Sequence, residues 1–299
     1  MIGKGSWQIL KRAFLLLKRN DPLRMAGATA FFTSFSLPFI LIILIQLFGL
    51  VLDRQQLSRH LFHGLSDVVG NPGTQQIREI SRGFRRLATN GYIAAGGFIF
   101  LLFVVTTLFK VVKDSINQLW QIQPADGKLS DNLWPRLRSI GLILLAGLLF
   151  LADLATESLL AILRHAVIGW GSMAVSTISF VLQQLVSFGI VTGWIVSLFL
   201  FLPDGRFSVK VTVKGALLTG ALFTVGKLVL AWLLISSNIR QIYGTSGAFV
   251  VVLLFVFYIA LILYYGVAFT AVVADYGKEA VRPAAHARLS RSDVIGGRS

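Results

Sequence analysis

The sequence predicts an all-α polytopic membrane protein of six transmembrane helices with short amphipathic interfacial helices. Six apolar runs, near residues 25–52, 92–110, 139–163, 173–202, 211–235 and 246–274, cover most of the 299 residues. Each is close to or beyond the ~20 residues that a helix needs to cross ~30 Å of hydrocarbon. Charged residues make up 14% of the chain and the mean hydropathy is +0.75. A soluble domain carries about a quarter charged residues, and its surface helices keep a polar face that these runs mostly lack.

Residues 1–24 form the first element, expected on the cytoplasmic side. Trp7, Leu10, Phe14 and Leu17 recur at helical spacing, with Lys11 and Lys18 elsewhere on the surface. That pattern suits a helix lying on the membrane face or packed against the spans. Asn20-Asp21-Pro22 is a helix-start signal, with Asp21 as N-cap and Pro22 at the first position. The first apolar run is longer than the apolar part of a signal peptide and lacks a small-residue cleavage site, so it reads as the first span. The membrane domain is expected over residues 25–275.

Residues 53–91 form an external loop. Asn71-Pro72-Gly73 marks a turn, and Ile77, Ile80, Phe84 and Leu87 make an apolar stripe opposite Arg78, Arg82, Arg85 and Arg86. Two short helices joined by that turn are expected as a cap over one side of the bundle. Residues 111–138 form a cytoplasmic loop broken by Pro124, Gly127 and Pro135. The remaining connections are short, which makes consecutive spans antiparallel neighbours. Residues 276–299 are a basic cytoplasmic tail.

The net charge of +15 raises nucleic-acid binding, since basic patches commonly meet phosphate. Its distribution argues for topology instead. Of the Lys and Arg outside the spans, 19 fall on the side of the termini and 8 on the other. The positive-inside rule then places both termini in the cytoplasm. Nucleic acid is not an expected partner; anionic lipid head groups on the basic side are.

Few charges interrupt the spans. Asp153 and Glu157, four residues apart on one helix face, lie in the third run, and Lys227 lies in the fifth. Counted from the cytoplasmic ends, Asp153 lies about 22 Å deep and Lys227 about 25 Å deep at 1.5 Å per residue. A charge pair between them, or with Glu157, is therefore geometrically open, either for function or for packing. Such residues cost at least ~2.5–3.5 kcal/mol at the bilayer centre and usually face the bundle interior. Gly215, Gly220 and Gly226 in the fifth run allow close helix approach.

With no cysteine, thiolate chemistry is excluded. His60 and His63 are too few for a metal site without ligands from elsewhere, and no nucleotide-binding or hydrolase motif occurs. No cofactor and no enzymatic activity are expected.

Several segments, in order, carry a resemblance. They are Asp21-Pro-Leu-Arg-Met-Ala-Gly-Ala-Thr-Ala-Phe-Phe-Thr-Ser-Phe-Ser-Leu-Pro38, Val112-Lys-Asp-Ser-Ile-Asn-Gln-Leu-Trp120, Phe201-Leu-Pro203 and Tyr243-Gly-Thr-Ser-Gly-Ala-Phe249. Together they resemble the YihY/BrkB family of bacterial inner-membrane proteins over about Trp7 to Tyr276. Ala268 stands where members often carry Glu, which sets a shared proton-coupled mechanism apart from this chain. The resemblance implies a transporter or envelope protein; the family's old ribonuclease label finds no metal-binding cluster here. The expected function is a transporter or exporter of a lipid or other amphipathic envelope molecule, with a non-transporting envelope scaffold as the alternative. Its candidate residues are Asp153, Glu157 and Lys227 as intramembrane charges, Asn117 and Trp120 as a cytoplasmic gate, and Tyr243-Gly244 as an outer hinge.

Overall fold

The computed structural model describes residues 2–49, 53–87, 91–124, 172–236, 247–284 and 287–289, with isolated positions between 141 and 152. Among the described residues, seven helices follow in order: α1 (Ile2–Lys18), α2 (Pro22–Phe48), α3 (Arg54–Leu87), α4 (Gly91–Leu119), α5 (Ser172–Phe201), α6 (Val209–Ser236) and α7 (Gly247–Tyr276). Windows in α2, α5, α6 and α7 (Pro22–Ile42, Val181–Phe201, Val209–Lys227 and Phe249–Tyr276) are long and apolar enough to cross a bilayer. Most of the third apolar run lies outside the described residues. Large apolar side chains such as Ile99, Phe103, Leu185, Leu217 and Val225 point outward. A water-facing surface rarely tolerates so many of them; hydrocarbon accepts them.

Helix α7 is the centre of the bundle, packing on α1, α2, α3, α4 and α6. Its contact with α6 is reciprocal. A Cβ on Gly215 would overlap the Thr270 side chain, and one on Gly266 would overlap Thr219. Each helix thus offers a glycine to the other's threonine, which lets the backbones approach closely. Both threonines are buried and satisfy their hydroxyls on their own helices, Thr219 Oγ1 on Gly215 O at 2.7 Å and Thr270 Oγ1 on Gly266 O at 2.8 Å. Farther along α6, Gly220 faces Thr192 and Phe188 of α5, and Gly226 faces the Tyr258 ring of α7.

Helix α1 docks on the end of α7. Tyr265 Oη donates to Leu10 O at 3.2 Å, and the Arg12 guanidinium lies 5.0 Å from the Tyr276 ring centre and 3.9 Å from Asp275. The predicted apolar stripe divides: Leu17 is buried, while Trp7 and Phe14 are exposed. A helix packed on the spans with outward Trp and Phe is suited to the membrane interface. The start of α2 differs from expectation. Asp21 has φ 52°, in the left-handed region that Asp tolerates better than most residues, rather than the extended backbone of an N-cap. Its carboxylate lies 3.9 Å from Arg24.

Helix α3 departs most from a simple rod. The Arg78 guanidinium lies 4.6 Å from the centre of the Phe62 ring. Sixteen residues of straight helix would separate the two by about 24 Å, beyond the reach of both side chains. The element therefore folds back between Phe62 and Arg78, the interval holding Asn71-Pro72-Gly73. Leu57, Leu61 and Phe62 from one limb and Ile77 from the other share a buried cluster with Leu41, Leu44 and Ile45 of α2 and Val252 and Phe255 of α7. Those contacts set both limbs beside α2 and α7.

The segment after α7 is also structured. β1 (Ile122–Pro124) pairs antiparallel with β4 (Ala287–Leu289), and β2 (Gly205–Arg206) with β3 (Arg282–Pro283). Within the basic tail, β3 and β4 form a strap joining the connections after α4 and α5.

Replacing Gly266 by Val is expected to destabilise the detergent-solubilised protein by about 2 kcal/mol, since overpacking typically costs 1–3. Gly193→Ala, at a position where an added Cβ meets nothing within 4 Å, is expected to melt like the parent in the same thermal denaturation.

Candidate functional site

Two polar constellations stand out, one at the end of the bundle that carries both α1 and the C-terminal strap, the other well inside it. The first is built on Asp204, in the turn between α5 and α6. Its side chain is 9% exposed and receives Lys113 Nζ at 2.9 Å and Asn117 Nδ2 at 2.9 Å. The Asp204 N–H donates to Asn117 Oδ1 at 2.9 Å, and Ala284 N–H donates to Asp204 O at 2.7 Å. One residue therefore ties α4, the α5–α6 turn and the strap together. Lys113 and Asn117 reach it jointly because they are four residues apart on one face of α4.

Trp120 closes the same end. Its Nε1 donates to Val267 O at 3.1 Å, and its ring meets Phe207 and Phe199 edge-on, with centroids 4.9 and 6.4 Å away. Deeper in the bundle, Thr29 Oγ1 and Tyr264 Oη are 2.5 Å apart, both buried. Near the membrane surface the strap reaches the start of α6. Ser208 N–H donates to Glu279 Oε1, and Ser208 Oγ donates to Glu279 Oε2 at 2.8 Å. The backbone and side-chain bonds from Ser208 hold the Glu279 carboxyl below its ordinary range.

The second constellation lies at depth. Thr29 meets Tyr264, which sets the register of α2 on α7, and Gly226 faces Tyr258, which sets that of α6. Lys227, partly exposed, is thus level with Tyr258 and with Phe35 of α2, about 9 Å farther from the termini than Thr29 at 1.5 Å per residue. Ser81 of α3 is buried, donates to Ile77 O at 2.8 Å and lies 3.4 Å from Pro38 O. Pro38 falls inside the candidate span of α2. Arg78, one turn before Ser81, stands at about the depth of Lys227. Ser34 Oγ, buried and without a hydrogen-bond partner, is at nearly the same level.

Of the residues singled out from sequence, Asn117 and Trp120 occupy the same end of the bundle but engage different partners, and Lys227 lies far from both. Asp153, Glu157, Tyr243 and Gly244 lie outside the described residues. Sequence reasoning passed over Asp204, because Pro203-Asp204-Gly205 reads as an ordinary turn. Its one signal is an acidic residue just after an apolar run, on the same side as the basic segment carrying Lys113.

These elements define a helical membrane protein. The chain belongs to the family described as Virulence factor BrkB, whose profile matches residues 13–290. It is 25% identical over 298 residues to a UPF0761 membrane protein of Teredinibacter turnerae, covering 96% of this chain and 64% of that one. It is 22% identical over 263 residues to the UPF0761 membrane protein MS0032 of Mannheimia succiniciproducens, covering 86% of each. A UPF0761 membrane protein of Saccharophagus degradans is 25% identical over 224 residues, covering 75% of this chain and 48% of the relative. The chain thus spans about two thirds and about half of the lengths of the Teredinibacter and Saccharophagus relatives. No solved structure matches.

Asp204→Ala leaves Lys113 and the Asn117 amide without their partner, and is expected to cost about 3 kcal/mol, near the lower end for breaking a buried pair. Thermal melting checks this. For Glu279, a carboxyl lowered on folding stabilises above its unfolded value and loses that contribution as pH falls through its folded one. Hydrogen exchange in the first turn of α6, corrected for intrinsic rates, should therefore stay protected down to pH 4.5 and rise only below it. Glu279→Gln should raise that exchange already at neutral pH.

Proposed function

We propose that this protein is a transporter or exporter of a lipid or other amphipathic envelope molecule, with six spans and both termini in the cytoplasm of a bacterial inner membrane. The observation that carries this reading is the charge at depth. Lys227 and the Arg78 limb of α3 stand at one level within a bundle whose outer faces are apolar. Ionisable groups at membrane depth mark substrate or ion pathways when they line a cavity, and an amphipathic cargo needs a polar route beside an apolar one. The fully bonded Asn117–Asp204–Lys113 cluster and Trp120 close the end of the bundle near the termini, which gives the resting state its barrier. Arg206, Lys210 and Lys214, exposed around that end, attract anionic head groups there.

A scaffold reading is favoured by one feature, the strap of residues 282–289 that stitches the connections of one face into a fixed surface.

Flux into proteoliposomes distinguishes the two. Parent protein should move a fluorescent envelope phospholipid between leaflets, and Lys227→Met should reduce the rate by at least about tenfold, given ~1.4 kcal/mol per tenfold for a lost charge contact. Equal flux in Lys227→Met removes the lysine from the route. No flux by the parent, with loss of envelope integrity when residues 276–299 are deleted, supports the scaffold.

A further inference from the structure

From the fold-back of α3 and its depth, we infer that this hairpin lines a water-filled vestibule, open on the side opposite the termini, that binds an anionic group. The hairpin starts at the far end of α2, where Arg54 Nε lies 3.4 Å from Gly49 O. Phe62 is eight residues farther on, about 12 Å inward at 1.5 Å per residue. The reversal lies deeper still, between Phe62 and Arg78. Ser81, on the returning limb, is level with Pro38 inside the span of α2.

At this depth the composition is that of a soluble surface. Gln75, Glu79 and Arg82 are exposed, and Arg78 is partly so. In hydrocarbon each charged group would cost at least ~2.5–3.5 kcal/mol, and reversed chain at membrane depth is tolerated only when buried in protein or lining a water-filled cavity. Protein covers one face, through Leu57, Leu61, Phe62 and Ile77. Water must meet the other.

The charge of that face selects the ligand. Arg78 and Arg82 are one helical turn apart, with Glu79 as the acidic group among these exposed positions. The Phe62 ring holds the Arg78 guanidinium from one side, leaving its planar fork to pair with a phosphate or carboxylate. Helix α3 also touches α6, the helix that carries Lys227. The fitting ligand chemistry is a phosphate monoester or diester, as free anion or as lipid head group. The vestibule is the far-side mouth of the proposed route, so its cargo role rests on that reading; its water and its anion do not.

The chain has no cysteine, so single cysteines can be placed without further change. In proteoliposomes of the full chain, Gln75→Cys and Glu79→Cys should react with a charged, impermeant thiol reagent within about tenfold of the loop position Asp53→Cys. The lipid-facing Leu217→Cys should react at least about a hundredfold more slowly, as thiolate is scarce in hydrocarbon. Inorganic phosphate should slow the Glu79→Cys reaction in phosphatidylcholine vesicles if the free anion binds. Slowing only when phosphatidylglycerol replaces phosphatidylcholine assigns the site to a lipid head group. Either protection should disappear in Arg78→Gln/Arg82→Gln. Reaction as slow as Leu217→Cys overturns the vestibule, and fast reaction without protection by phosphate or phosphatidylglycerol overturns the anion site. Absent lipid flux alongside fast, protected labelling would sink the transport reading alone.

Discussion

The crossing of α6 on α7 fixes the frame in which everything else is measured. Gly215 against Thr270 and Gly266 against Thr219 leave no freedom to slide by a residue, because any shift would place a side chain where only a hydrogen fits. In lipid there is no hydrophobic gain from helix association, so close backbone packing has to carry it. With α6 locked on α7, Gly226 falls on Tyr258 and Lys227 is held at one depth. Thr29 and Tyr264 then set α2 in the same frame, and α2 in turn carries α3.

The two ends of the bundle are built on opposite principles. Near the termini, polar groups are satisfied by one another: Asp204 with Lys113, Asn117 and Ala284, Trp120 with Val267, Glu279 with Ser208. The Asp204 cluster is rigid, since removing one member leaves the others unpaired in a buried site. On the far side, α3 presents polar and charged groups that its apolar contacts do not cover. A bonded end and the proposed polar vestibule on the far side are the physical basis of the transport proposal.

Much of the fold was legible because its signals are local. Apolar length marks the spans, helical spacing marks α1 and the returning limb of α3, and the glycines of α6 mark close approach. The depth of α3 was not legible. Its composition is that of an external loop, and only the pairing of Phe62 with Arg78 and of Ser81 with Pro38 reveals insertion. The strap was hidden for a related reason: strands of two or three residues, paired across most of the chain, have no periodicity to read. Asp21 shows the opposite failure, a strong local capping signal overridden by the tight turn that sets α1 against α7.

The central claim is that α3 is a hairpin and not a rod, and a pair of cysteines tests it most directly. With Phe62→Cys and Arg78→Cys in one chain, a short bifunctional thiol reagent should join the two residues within each molecule, seen as an intramolecular cross-link by mass spectrometry. In a straight helix the same positions would stand about 24 Å apart, and no cross-link would form. That second result, obtained in protein that melts like the parent, would contradict the account.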